Sequence, residues 1–81
     1  MEKKFVLIEW LDSKGCTSGW EFFEDIKPQL PSNCITVGII INDCKEYIEV
    51  AQSMDVDKDD EQVMGRMAIP RCSIKKVKRL R

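Results

Sequence analysis

An alternation of apolar residues with small or polar ones between Cys34 and Asn42 is the feature that most constrains the fold. Side chains alternate between the two faces of a β-strand, so a period of two places one residue set on each face. The apolar set is Ile35, Val37, Ile39 and Ile41, and the other set contains Thr36, Gly38 and Asn42. The pattern predicts a strand with one isoleucine-rich face, and Gly38 in mid-strand indicates a bend or a close backbone approach.

Three further segments have the composition of strands. Residues 5–11 are apolar at both odd and even positions, which predicts that both faces of this strand are covered. Residues 42–46 have the polar composition of a hairpin turn and lead into a strand over residues 47–54. Residues 63–69 form the fourth strand, which Pro70 ends.

The C-terminal segment is compatible with two structures. Ile74, Val77 and Leu80 are three residues apart, a spacing that fits a helix. A single turn over residues 71–74 followed by a short strand fits equally well. We favour the turn and strand, because a fifth strand would cover an exposed edge of a four-stranded sheet.

The connection after the first strand is expected to contain a helix. Ser18 and Glu21 have the spacing of a capping box, in which a hydroxyl and a carboxylate satisfy the first free N–H groups of a helix. The apolar residues that follow are Phe22, Phe23 and Ile26. We therefore predict a helix of about two to three turns that ends at Pro28.

These elements predict a mostly β fold with a minor α component, namely a small SH3-like or Sm-like five-stranded barrel with one short helix after the first strand. Residues 1–81 are expected to form a single domain, because 81 residues are too few for two. A domain of this size buries only about 60 to 65% of its unfolded surface, which favours homo-oligomerisation.

Composition and charge narrow the class of protein. Apolar residues make up 43% of the chain and charged residues 33%, as in ordinary globular proteins. The apolar run near the N-terminus is interrupted by Glu9 and Asp12, so it fits neither a signal peptide nor a membrane span, and we expect a cytoplasmic protein without membrane contact.

Basic residues are concentrated near the C-terminus although the net charge is −1. Residues 62–81 contain seven basic residues and no acidic one. One interpretation is a solvated edge strand that discourages aggregation. The alternative is an anion-binding rim formed by Arg66, Arg71, Lys75, Lys76 and Lys78.

Neither the cysteines nor the acidic residues form a recognisable metal motif. Cysteines 16, 34, 44 and 72 contain no Cys-x-x-Cys pair and the chain has no histidine, so we predict free thiols, with Cys34 and Cys72 in or near the core. Residues 55–61 place acids as a calcium loop does, but Asp60 and Arg66 stand where an EF-hand needs glycine and glutamate. We expect a solvated loop there, and neither a metal nor a cofactor.

Catalytic groups are hard to assemble from this sequence. Without histidine, no general base is at hand to activate Ser13, Ser18 or Cys16 as a nucleophile. Carboxylates such as Glu21 and Glu24 fit the solvent face of a short helix better than acid–base catalysis. We therefore predict that the chain is not an enzyme.

The segment between Trp10 and Trp20 is the predicted working surface. Trp10 shares its strand face with Val6 and Ile8, which favours a core position. Trp20 stands at the predicted helix start, where free N–H groups and a flat ring suit an anionic ligand that carries a ring, such as a nucleotide. The predicted ligand-binding residues are Ser13, Lys14, Thr17, Ser18, Gly19, Trp20, Arg66 and Arg71.

Several short motifs resemble those of a group of small proteins encoded by bacteriophages and prophages. The motifs are Ile8–Ser13, Gly19–Trp20, Val37–Gly38, Tyr47, and Gly65 through Ile69–Arg71 to Ile74. The resemblance implies a compact β-rich fold rather than an activity. It also raises the expectation of a counter-defence role, because phages use small proteins of this kind, including oligomeric sponges that sequester host nucleotide signals.

Three functions follow as hypotheses. The leading one is a non-enzymatic, homo-oligomeric, phage-encoded protein that sequesters a small anionic nucleotide signal. The second is a protein-interaction module that inhibits a host defence enzyme through the tryptophan loop. The third is an Sm-like nucleic-acid binder, which a pI of about 5.4 disfavours.

Overall fold

The computed structural model describes residues 3–57, 59 and 61–80, and within them it contains five β-strands. The strands are β1 (Phe5–Asp12), β2 (Ser32–Asp43), β3 (Tyr47–Asp55), β4 (Gln62–Pro70) and β5 (Ile74–Leu80). A 3-10 turn over Arg71–Ser73 precedes β5. The five predicted strands are therefore confirmed, and so is the turn before the last of them.

All five strands form one antiparallel sheet in the order β4-β3-β2-β1-β5. β1 pairs with β2 from Phe5 and Ile39 to Asp12 and Ser32, and on its other side it pairs with β5. β4 and β5 are the two edge strands of the described sheet. The fold is mostly β, as the sequence predicts.

The strand pairing contains two register shifts in the described chain. The pairing of β1 with β5 shifts register between Glu9 and Trp10, and the pairing of β2 with β3 shifts between Ile40 and Asn42. Such bulges increase the local twist of a strand. The close backbone approach predicted at Gly38 is confirmed, because a Cβ atom there would lie 2.8 Å from the carbonyl oxygen of Ala51.

The core is small and draws on three strands. Its buried cluster consists of Val6, Ile8, Ile48, Val50 and Ile69, against which Trp10, Ile40 and Ile74 pack. Full burial of one such aliphatic side chain stabilises the fold by roughly 1.5–3 kcal/mol. The predicted core position of Trp10 is confirmed, and its indole Nε1 donates a hydrogen bond to Thr36 Oγ1 at 2.9 Å.

β2 does not turn its isoleucine-rich face to the core. The register with β1 sets Val6 beside Gly38 and Ile8 beside Thr36. Because Val6 and Ile8 point into the core, the small side chains of β2 point there too. The isoleucine-rich face of β2 therefore lies on the other side of the sheet.

The other side of the sheet, here called the outer face, is only partly covered. It carries Phe5, Leu7, Ile35, Val37 and Ile39. Ile35 is 66% exposed, Val37 56% and Phe5 43%. The prediction that both faces of β1 are covered is thus wrong for the described chain.

The predicted helix after β1 does not form. This segment contains a single 3-10 turn, Phe23–Asp25, and the carboxylate of Glu21 accepts a hydrogen bond from Thr17 Oγ1 at 3.0 Å. A helix of two or three turns is unstable in water unless it packs an apolar face. Here Phe22 and Phe23 are 74% and 94% exposed, so that packing is absent.

The molecule is elongated and exposes much surface. Its radius of gyration is 17.2 Å, whereas a compact chain of this length has roughly 12 Å. Its accessible surface is 7012 Å², whereas a compact monomer of this mass exposes roughly 5,000 Å². The excess is roughly 2,000 Å², and the fully exposed residues 13–31 contribute to it.

Candidate functional site: the loop between β1 and β2

Residues 13–31 join β1 to β2 and are called the β1–β2 loop below. Its two ends are adjacent, because Asp12 pairs with Ser32. Every residue of the loop is exposed. The large apolar residues among them are Trp20, Phe22, Phe23, Ile26 and Leu30. Trp20 is 104% exposed, so its indole is as open to solvent as in an isolated residue.

A few polar contacts hold the loop in shape. The side-chain amide of Gln29 donates to the backbone oxygens of Lys14 and Gly15, at 3.0 and 2.9 Å. These two bonds tie the ascending and descending halves of the loop together near the sheet. At the tip, Asp25 N donates to Phe22 O at 3.0 Å within the 3-10 turn. The apolar side chains therefore project from a braced loop rather than from an unstructured segment.

Six of the eight sequence-predicted ligand residues lie in this loop. They are Ser13, Lys14, Thr17, Ser18, Gly19 and Trp20. Gly19 has a φ of +83°, a left-handed conformation that places Trp20 after a sharp turn. No backbone–backbone hydrogen bond involves residues 14–21 in the described chain, and all of these residues are exposed.

The two predicted arginines are bonded to the sheet and not to the loop. Arg71, in the 3-10 turn before β5, donates from Nε to Cys44 O at 3.1 Å and from Nη2 to Asp43 Oδ1. Arg66, on β4, donates from Nε to the carboxylate of Glu49. Arg71 thus links its 3-10 turn to the connection between β2 and β3. The guanidinium groups of Arg66 and Arg71 each have a carboxylate partner.

Glu49 is a buried charge that the sequence analysis misses. It is 7% exposed and accepts hydrogen bonds from Arg66 Nε and, at 2.8 Å, from Asn42 Nδ2. The bonded Arg66 guanidinium holds the pKa of Glu49 below its ordinary value of 4.5, and the Asn42 amide acts in the same direction. A signal was present, since Glu49 stands between Ile48 and Val50 in a strand that is otherwise apolar at its start.

Low pH should destabilise the native state, because it protonates the Glu49 carboxylate. A carboxyl whose pKa is lowered on folding stabilises the native state above its unfolded pKa and loses that effect as pH falls toward the folded value. We expect the thermal midpoint of the parent chain to fall more steeply between about pH 5 and about pH 3 than that of Glu49→Gln. Arg66→Gln breaks the same pair and should share the shallow slope. Parallel curves for all three proteins would contradict this assignment.

An open cleft lies where β2 diverges from the β3–β4 hairpin. Its volume is 460 Å³, and its walls include Ile35, Val37, Val50, Gln52 and Met67. The walls are mostly apolar, and the one guanidinium at the rim, that of Arg66, is bonded to Glu49. The cleft therefore offers contact area rather than a set of reactive groups.

The thiols and acids of the described residues show no metal-binding cluster. All four cysteines are free, and Cys34 is half-buried beside the core. The prediction that Cys72 lies near the core is wrong, because the 3-10 turn leaves this residue exposed. No group of three or more histidine, cysteine or carboxylate side chains in residues 3–57, 59 and 61–80 could hold a metal ion. Lys58 and Asp60 of the predicted acidic loop lie outside the described residues.

The comparisons with known proteins identify no relative of this chain. No protein family model, no curated protein and no solved structure matches this chain. The described part of the chain also contains no helix with the length and hydropathy that a bilayer crossing requires.

Proposed function

We propose that this chain is a non-enzymatic binding protein whose working surface is the β1–β2 loop and whose target is another protein. One observation carries the proposal: the loop presents Trp20, Phe22, Phe23, Ile26 and Leu30 to solvent and contributes none of them to the core. Large apolar side chains exposed together mark interaction sites in soluble proteins.

The composition of the loop suits a protein target. Tryptophan and other large anchors supply most of the energy of protein interfaces when they enter a pocket. The loop is braced by Gln29, so less conformational entropy is lost on binding than for a free segment. Glu24 and Asp25, next to Phe23, form no ion pair with any described residue. The matching surface is an apolar groove with a basic rim.

We also propose that the sheet is the body of an SH3-like barrel. β1 pairs with both β2 and β5, bulges bend the sheet, and a 3-10 turn separates β4 from β5. A bent five-stranded sheet of this order supports a barrel-like curl. The barrel would act as a rigid support for the loop, and the function itself rests on the loop.

Affinity capture tests the loop. The immobilised chain is exposed to an extract of the cells that carry the gene, and the double variant Trp20→Ser, Phe23→Ser is treated in parallel. We expect a defined protein that the parent retains and the double variant loses, because two exposed anchors are removed. Val56→Ser, which changes a 67% exposed valine outside the loop, is the control and should retain that protein.

The retained protein is then purified and its dissociation constant measured for each variant. Loss of both anchors should weaken binding by roughly a hundredfold or more. Equal affinities for the parent and the double variant would refute the proposal. The resemblance to phage-encoded proteins leads us to propose a host defence enzyme as the target.

Capture of a small anionic nucleotide is the second candidate. It is supported by the unbonded N–H groups of residues 14–21, the Lys14 ammonium without an ion pair among the described residues, and the open ring of Trp20. It is weakened by the engagement of Arg66 and Arg71 in the sheet. Calorimetric titration with cyclic and linear nucleotides tests this candidate. If no nucleotide binds with a dissociation constant below about 100 μM, the candidate is excluded.

The same titration with oligonucleotides at low salt tests Sm-like binding along the basic strand β5. Nucleic-acid binding depends strongly on salt, so an absence of binding even at low salt removes this third candidate.

A further inference from the structure

We propose that the outer face of the sheet is an interface with a second copy of this chain, packed face to face in a two-fold dimer. The proposal goes beyond the binding function above, because it rests on the sheet and not on the β1–β2 loop. Its three supports are the apolar pattern of the face, the distribution of charge around it, and the surface area of the molecule.

The apolar pattern runs across neighbouring strands. One cross-strand row consists of Leu80, Phe5, Ile39 and Ala51 and ends at Arg66 of β4, and the next sets Leu7 between Val37 and Lys78. Ile35 extends the surface along β2 and is 66% exposed. Side chains paired across strands form a continuous surface. The apolar part of the outer face is therefore a strip along β1 and β2, bordered on the same face by Glu9, Lys78 and Arg66.

The outward side chains of β2 are the apolar ones, so this face of the strand needs a covering surface. Its inward set, Cys34, Thr36, Gly38 and Ile40, is less apolar than its outward set, Ile35, Val37 and Ile39. In a sheet with one solvated face, the outward positions are normally polar. Since the register with β1 fixes which set points outward, the apolar outward set calls for a covering surface.

The charges around the patch favour a second copy as that surface. Lys76 and Lys78 lie on β5, at one edge of the sheet, and form no ion pair with any described residue. The acids Asp55, Asp57 and Asp59 lie at the β3–β4 turn, toward the other edge. A two-fold axis parallel to the strands lays β5 of each copy over the β3–β4 side of the other, so basic and acidic groups meet twice.

The chain has exposed surface to bury. It exposes roughly 2,000 Å² more than a compact monomer of its mass, whereas a stable dimer buries about 800 Å² on each partner. The exposed β1–β2 loop contributes to this excess, and so does the outer face, where Phe5, Val37 and Ile35 are 43%, 56% and 66% exposed.

Sedimentation equilibrium of the full chain tests the dimer. We expect twice the chain mass of 9.4 kDa at tens of micromolar. Val37→Glu places a charge at the centre of the patch and should raise the dimer dissociation constant by roughly a hundredfold or more. Leu30→Glu makes the same kind of change in the β1–β2 loop and should leave the mass unchanged. A parent chain that is monomeric, or trimeric, overturns the proposal.

Circular dichroism of each variant shows whether it folds. If Val37→Glu does not fold, the dimer is tested with Lys78→Glu instead. This variant reverses a charge beside the patch and removes no apolar contact from the core. A folded Lys78→Glu chain with a weaker dimer supports the proposal, and one with an unchanged dissociation constant overturns it. Capture of the partner protein through the β1–β2 loop is measured separately. A monomeric parent chain would therefore refute the dimer without refuting the proposed binding function.

Discussion

Replacing Ile8 with alanine should destabilise the fold by about 2–5 kcal/mol. Ile8 is 0% exposed and sits in the middle of β1, between Thr36 of β2 and Val77 of β5. Truncation removes its buried methyl groups and leaves a cavity that neighbouring strands, fixed by their hydrogen bonds, can fill only in part. A domain of this size has a total stability of about 4–12 kcal/mol, so the loss is a large share of it.

Denaturant unfolding at a fixed protein concentration measures this loss. Fixed concentration matters because association of folded chains would raise the apparent stability. Phe23→Ala is the control: it removes more atoms than Ile8→Ala, but from a side chain that is 94% exposed. It should change the free energy of unfolding by less than about 0.5 kcal/mol. A cost for Phe23→Ala as large as that for Ile8→Ala would show that the β1–β2 loop belongs to the core.

Gly38→Ala should destabilise the fold by about 1–3 kcal/mol. A Cβ atom at this position would lie 2.8 Å from Ala51 O and 3.0 Å from Val50 Cβ. The first of these atoms is backbone, so the clash cannot be relieved by a side-chain rotation. β2 and β3 would have to move apart at the point where their ladder begins, which disturbs the adjacent core residue Val50.

Gly15→Ala provides the matched control for Gly38→Ala. A Cβ atom at Gly15 meets nothing within 4 Å, and this glycine has no left-handed φ. The same exchange there should be neutral or stabilise the chain by about 0.4–1 kcal/mol, because alanine restricts the unfolded chain. Opposite signs for the two exchanges support the close approach of β2 and β3 at Gly38. Equal effects would contradict it.

The strands could be predicted because their signals are local. Alternation over residues 34–42, the polar turn that follows, and Pro70 at the end of β4 each depend on neighbouring residues alone. The choice of a strand for Ile74–Leu80 was less local, since its three-residue spacing also fits a helix. The pairing of β5 with β1 resolves that choice, and such a long-range contact leaves no mark on the segment itself.

The orientation of β2 could not be predicted for a similar reason. β1 is apolar on both parities, so the sequence does not say which of its faces meets the core. Once Val6 and Ile8 turn inward, the register decides the orientation of β2. The resulting exposure of Ile35 and Val37 is visible only in three dimensions, and it is the basis of the proposed dimer.

The sequence marks the β1–β2 loop as a candidate site, but it does not give the form of the loop. The tryptophan, glycine and hydroxyl residues of the β1–β2 loop mark it as a working surface from sequence. The capping box also predicted a helix there, and that prediction fails because no neighbouring surface covers Phe22 and Phe23. The pairing of Arg66 on β4 with Glu49 on β3 is a tertiary contact that the local sequence does not indicate. It occupies a guanidinium that the sequence predicts to bind a ligand.

The most direct test of the account replaces residues 13–31 with Asn-Gly, a two-residue turn that suits an antiparallel hairpin, and measures capture of the parent chain's protein partner. The paired ends, Asp12 and Ser32, allow so short a connection. We expect a chain that still unfolds cooperatively, at the parent's midpoint or above because the connection is shorter, and that retains no partner. Retention of the same partner by this folded chain would contradict the proposal that the β1–β2 loop is the working surface.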